Sequence, residues 1–157
     1  MQEEIAKHTV SASAIIPARQ KRVYSLLANY RDGHARILPR QFSDLVVEQG
    51  GIGAGTVIRF QMRVLGKKQR FRASVTEPEP ERVLVERYLD SNTAITTFTV
   101  DAGTAPADSR VTISTELRVR SGFPGWIDRK LSTLLLRPIY RKELENLARV
   151  ATGPFGA

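Results

Sequence analysis

The stretch Pro124 to Thr152, PGWIDRKLSTLLLRPIYRKELENLARVAT, decides the fold. It predicts one amphipathic helix with Pro124 in its opening turn, where the missing N–H would be unpaired anyway. At about 1.5 Å per residue the helix runs roughly 40 Å, about the width of a compact domain of this length, so the rest of the chain has to wrap it. Two apolar stripes run along it. Ile127, Leu131, Leu134 and Pro138 follow a 4-3-4 spacing, and Leu136, Tyr140, Leu144, Leu147 and Ala151 follow 4-4-3-4, both of which are helical repeats. At about 100° per residue the stripes point to nearly opposite sides. The C-terminal half is therefore expected to pack on a sheet. The N-terminal half offers its apolar side to something else: a neighbouring helix, a cavity, another subunit or a membrane. Pro138 sits at the changeover, costs about 3 kcal/mol and frees the carbonyl of Leu134. Burying about eight large side chains at roughly 1.5–3 kcal/mol each outweighs that, which predicts one kinked helix rather than two.

Upstream, Val10, Ala12, Ala14 and Ile16 alternate with Thr9, Ser11, Ser13 and Ile15, a half-buried strand from His8 to Ile16. Pro17 ends it, and Val23, Leu26, Leu27 and Tyr30 recur at helical spacing, predicting a helix from about Ala18 to Asn29. The segment Tyr30 to Pro39 is punctuated by Gly33 and Pro39 and holds at most one or two helical turns. From Phe42 onward the pattern is antiparallel sheet, with candidate strands Phe42–Glu48, Thr56–Leu65, Gln69–Glu77, Val83–Asp90, Ala94–Asp101 and Arg110–Arg120. The breaks carry turn chemistry at Gly50 to Gly55, Gly66-Lys67-Lys68, Glu77 to Glu81, Asp90-Ser91-Asn92 and Ala102 to Asp108, so the strands should form consecutive hairpins.

The 157 residues suit one domain, and 41% apolar residues are ample for its core. No cysteine is present, which excludes disulfides and thiolate metal sites. The start of the chain, Met1 to Lys7, has no apolar leader, and no later run is long enough to span a bilayer, so a soluble, cytoplasmic protein is expected. A net charge of +8 favours acidic partners. Gly51-Ile52-Gly53-Ala54-Gly55 lacks the spacing of a dinucleotide fingerprint and leads into a strand, so it is a turn. With only His8 and His34 available as imidazole ligands, no metal site and no cofactor are expected.

The order strand, short helix, six strands, long helix, together with particular residues, resembles the START-like superfamily, also called SRPBCC. The matching residues are Ile16-Pro17-Ala18 before Val23-Tyr24, the turn Gly53-Ala54-Gly55-Thr56, Thr97-Phe98-Thr99-Val100, and Glu143-Leu144-Glu145-Asn146-Leu147. The resemblance spans about His8 to Ala151 and includes polyketide cyclase/dehydrase-like and lipid-transfer members. It implies an α+β helix-grip fold: a curved seven-stranded antiparallel sheet around the long C-terminal helix, with a deep apolar cavity that often binds a lipid, isoprenoid or polyketide.

Phe60, Met62, Phe71 and Phe98 from the strands, and Leu131, Leu134 and Leu135 from the helix, are the expected cavity residues. His34, with Tyr30, Asp32 and Arg36 nearby, is the candidate for binding a head group or for acid–base work, since an imidazole titrates near pH 6.5. Tyr88, Glu86, Asp128 and Tyr140 are reserve polar candidates. Arg59, Arg63, Arg70 and Arg72, with Lys67 and Lys68, form a basic stripe on the outer sheet face that lacks the stacking aromatics of a nucleic-acid reader. With Trp126, Ile127 and Leu131 amid Arg129, Lys130, Arg137 and Arg141, it suits transient contact with an anionic membrane. Three functions stand open: a hydrophobic-ligand binder, a cyclase or dehydratase using His34 or a cavity tyrosine, and an interaction module, monomeric or homodimeric.

Overall fold

The structure is a computed structural model and describes residues 5–90, 94–120 and 122–153. Seven strands, β1 (Ile5–Ile16), β2 (Phe42–Gln49), β3 (Val57–Val64), β4 (Lys67–Glu79), β5 (Val83–Tyr88), β6 (Ile95–Ala102) and β7 (Ser109–Arg120), form one antiparallel sheet in the order β1-β7-β6-β5-β4-β3-β2. The expected turn at Asp90-Ser91-Asn92 falls partly outside the described residues, as does the side chain of Trp126. Helix α1 (Gln20–Ala28) and a single 3-10 turn at His34–Arg36 separate β1 from β2. Helix α2 (Gly122–Thr152) follows β7, runs unbroken through Pro138 and packs on β1, β7 and α1.

The two stripes of α2 have different fates. Ile139, Tyr140, Leu144, Leu147, Val150 and Ala151 are buried in the core with Val10, Ile16, Leu27, Leu84, Phe98 and Ile113. Ile127, Leu131 and Leu134 are exposed, Leu134 to 70%. The C-terminal half is thus the part the sheet grips. Near its middle, α2 is held to β1 by His8 Nε2 and Thr133 Oγ1, 2.9 Å apart, and by Arg137 Nε donating to the Ser11 carbonyl.

Several strand ends differ from the sequence reading. The β3–β4 turn is only Leu65-Gly66, with φ of 52° and 75°, so Lys67 and Lys68 belong to β4 and pair with Val64 and Arg63. Two successive positive φ angles make a type I′ turn, whose twist matches the flanking strands. The sequence alone places the lysines in the turn, because it offers a glycine there and polar residues are also turn formers. At its other end β4 continues through Pro78. The proline lies at a register shift between Thr76 and Glu79, where no ladder N–H is needed. Helix α1 starts after Arg19, which is extended, because Pro17 and Ala18 turn the chain before the helix begins.

Candidate functional site

Between the sheet and α2 lies a cavity of about 130 Å³. Phe42, Ile58, Phe60, Met62, Phe71 and Phe98 supply most of its apolar wall, and Leu136 closes it from the helix. Phe60 is the hub of the rings, with centroids 5.6 Å from Phe71, 5.7 Å from Phe42 and 6.1 Å from Tyr88. Such tilted and offset contacts suit the ring quadrupoles.

One end is polar. His34 reaches it because Gly33 lets the chain fold back against α1: a side chain at Gly33 would collide with the Leu26 carbonyl. The His34 ring is buried, stacked on Tyr30 with centroids 4.5 Å apart and edge-on to Phe98 at 5.3 Å. Its Nδ1 donates to the Leu27 carbonyl at 2.8 Å, which points Nε2 at two carboxyls, Glu86 on β5 and Glu143 on α2, each 3.7 Å away. Glu86 accepts the Tyr30 hydroxyl at 2.8 Å. Glu143 makes no hydrogen bond among the described residues, and it is 3% exposed. Its pKa is pushed well above the ordinary carboxyl value, first by burial and then by the neighbouring charge of Glu86. Beside it a hydroxyl chain crosses the sheet from Thr96 through Thr115 to Tyr140.

The site was only partly visible in the sequence. His34, Phe60, Met62, Phe71, Tyr88 and Phe98 are on the wall, as are the reserve residues Glu86 and Tyr140. Tyr30 is not; it lies behind His34 and holds Glu86. Arg36 and Asp32 are exposed, and Asp128 lies on the other half of α2. Leu131, Leu134 and Leu135 do not line the cavity. Leu131 and Leu134 are 44% and 70% exposed, since they belong to the stripe about 180° from the one carrying Leu136 and Tyr140. Glu143, Thr96 and Thr115 were missed. Glu143 was findable: it lies three residues after Tyr140 and seven after Leu136, a charged residue on the inward stripe.

The outer basic stripe is broken by an acid. Arg59 and Arg72 are cross-strand partners, and both face Glu48, at 3.9 Å and 2.8 Å. Arg63, Lys67, Lys68 and Arg70 are exposed along the same hairpin. No group of three or more potential metal-ligating side chains occurs among the described residues, and no described helix is long and apolar enough to cross a membrane.

All four tyrosines of the chain are shifted upward: burial is the largest cause at Tyr24, Tyr30, Tyr88 and Tyr140, reinforced by the carboxyls of Glu77 at Tyr24 and of Glu86 and Glu143 at the others. A phenol whose folded pKa is raised stabilises the fold at pH below its unfolded value of about 10 and withdraws that stability as pH rises through the folded value. A spectrophotometric titration should therefore show no tyrosine ionising near pH 10 with the fold intact. Phenolate absorbance should appear at higher pH together with loss of near-ultraviolet circular dichroism. A separate step near pH 10 in the folded protein would contradict this.

A long helix gripped by a curved antiparallel sheet, with a cavity between them, defines the helix-grip class. The family model for polyketide cyclase / dehydrase and lipid transport matches residues 7–152, and the chain belongs to that family. Among solved structures, the KanY protein superposes with a TM-score of 0.81 at 24% identity, covering 94% of this chain and 99% of that one. The Zhui aromatase/cyclase from a Streptomyces species gives a TM-score of 0.76 at 14% identity, over 97% of this chain and 100% of that one. A START superfamily protein from Mycobacterium smegmatis gives 0.73 at 17%, over 92% and 99%. At these identities the likeness is one of fold. No curated protein sequence matches the chain.

Proposed function

We propose that this protein binds a hydrophobic small molecule in the cavity between the sheet and α2, with one polar group of the ligand at the His34, Glu86 and Glu143 end. The observation that carries this is an apolar-walled space of about 130 Å³ left open in the core. Interiors are otherwise packed like organic crystals, and a void forfeits the dispersion contacts of every atom lining it. A ligand restores them. The family's lipid-transport and polyketide members support the same reading.

The test is mass spectrometry of an organic extract, beside native spectra of the intact protein. A bound apolar compound is expected at stoichiometric level, and it should be absent from Leu117→Trp, whose indole fills the cavity from β7. Failure of the wild-type protein to carry or take up any of a panel of lipids and aromatic polyketides would overturn the reading.

A second reading, a cyclase or dehydratase, is favoured by one observation. Glu143, whose pKa burial and the charge of Glu86 push upward, lies beside Glu86 and the Nε2 of His34, whose Nδ1 donates to the Leu27 carbonyl. An acid and a base on one cavity wall are what enolisation and loss of water require. His34→Ala separates the readings: a binder loses the imidazole contact but still carries ligand, whereas an enzyme that uses the imidazole loses about 10²–10⁴ in rate.

A further inference from the structure

The cavity differs in charge from the rest of the protein. The chain has a net charge of +8, yet among the described residues neither lysine nor arginine is on the cavity wall, and two carboxyls are. Glu86 has a donor in Tyr30. No donor to the Glu143 carboxyl is seen among the described residues: His34 Nε2 stands 3.7 Å away, beyond hydrogen-bond range. His34 offers no donor from its other nitrogen, which is committed to Leu27. Buried polar groups in native proteins are almost always paired, so a buried carboxyl facing an empty space calls for a donor supplied from outside the chain. The rings of Phe98 and Tyr88 stand on the same wall, and an aromatic face attracts a cation placed within about 6 Å of it.

We propose that the ligand is a small hydrophobic amine, one ring carrying a protonated nitrogen that sits beside Glu143 and Glu86. The inference rests on the cavity-binding reading above and narrows its ligand class. The cavity's size is close to that of an engineered void of about 150 Å³ that takes benzene. It therefore suits one ring with a short arm. Carboxylate ligands, free fatty acids included, are repelled from the same end.

The proton balance follows. Burial and the charge of Glu86 favour the protonated form of Glu143; when the ammonium arrives, that proton passes to solvent and the carboxylate pairs with the ammonium, with no other bond made or broken. The titratable groups facing Glu143 are Tyr30 and His34 after α1, Glu86 and Tyr88 on β5 and Tyr140 on its own helix. Affinity for an amine should therefore rise with pH while the amine stays protonated.

Three probes of one shape test this by calorimetric and NMR titration: benzylamine, benzyl alcohol and benzoate. Benzylamine is expected to bind at least about tenfold more tightly than benzyl alcohol, a difference of about 1.4 kcal/mol. Benzoate should be weakest, and amine binding should release protons in paired buffers of different ionisation heat. Glu143→Gln and Glu86→Gln should each erase the preference while leaving benzyl alcohol bound. Equal or tighter binding of the alcohol, or an amine preference that survives both variants, overturns the amine inference and leaves the cavity reading standing. Silence from all three probes overturns the amine inference, and together with an empty organic extract and failure of the lipid and polyketide panel it overturns both.

Discussion

Replacing Phe98 by alanine should destabilise the protein by about 3–5 kcal/mol, the cost of removing a buried aromatic ring whose surroundings collapse only in part. Phe98 is 2% exposed, sits on β6 at the cavity wall and holds the edge of His34 at 5.3 Å. Its removal would merge a new void with an existing one, so neighbouring side chains have little to lean on. Against a typical stability of about 5–15 kcal/mol, the loss is large. Urea denaturation should show a lowered midpoint with an unchanged slope. Leu134→Ala is the control: a residue 70% exposed should change stability by less than about 0.5 kcal/mol. A cost below about 1 kcal/mol for Phe98→Ala would mean the wall is not the rigid surface described above.

Glu143→Gln should flatten the dependence of stability on pH. The carboxyl is pushed up from its ordinary value of 4.5 by burial and by Glu86. Above pH 4.5 the unfolded chain gives up this proton while the folded chain keeps it, so the folded state binds more protons and stability falls as pH rises. The decline runs at up to about 1.4 kcal/mol per pH unit and stops at the raised folded value. The amide has no proton to lose. The difference between wild type and variant, measured by urea denaturation from acid to mildly alkaline pH, should therefore grow steadily in favour of the variant. A difference that is flat with pH would show that Glu143 is ionised in the folded protein.

How far the sequence could be read depended on what each signal encodes. Alternation in β1 and β3 and the second stripe of α2 report burial directly, and those elements lie where the pattern puts them, although β1 begins earlier, at Ile5. Turn residues report only that a reversal is allowed. Gly66 and Pro78 therefore marked breaks that β4 ignores, one by a two-residue turn and the other by a register shift. Apolarity alone assigned Leu131, Leu134 and Leu135 to the cavity, although helical phase already placed the first two on the far side. Glu143, quoted for the family resemblance, is not read as a cavity residue for the opposite reason: a glutamate in a helix rich in arginine and lysine reads as surface until its phase is compared with that of Leu136 and Tyr140. The bond from Tyr30 to Glu86, between residues 56 apart in sequence, has no local signature at all.

The pairing of β1 with β7 also governs how the chain is made. Ile5 lies opposite Arg120 and Ile16 opposite Ser109, so β1, the first strand of the sheet in chain order, finds its ladder partner in β7, the last. With translation at about 5–20 residues per second, β1 waits several seconds with its apolar alternation uncovered. Hairpins β3–β4 and β5–β6 close locally in the meantime. The completed sheet, and the cavity floor that β6 and β7 supply, come into being only when β7 clears the ribosome, and the grip on α2 comes later still. Non-local closure of this kind makes folding slow relative to helical bundles of equal length. A holdase that shields β1 on the nascent chain would raise the yield of folded protein more than one acting on a later strand of the sheet.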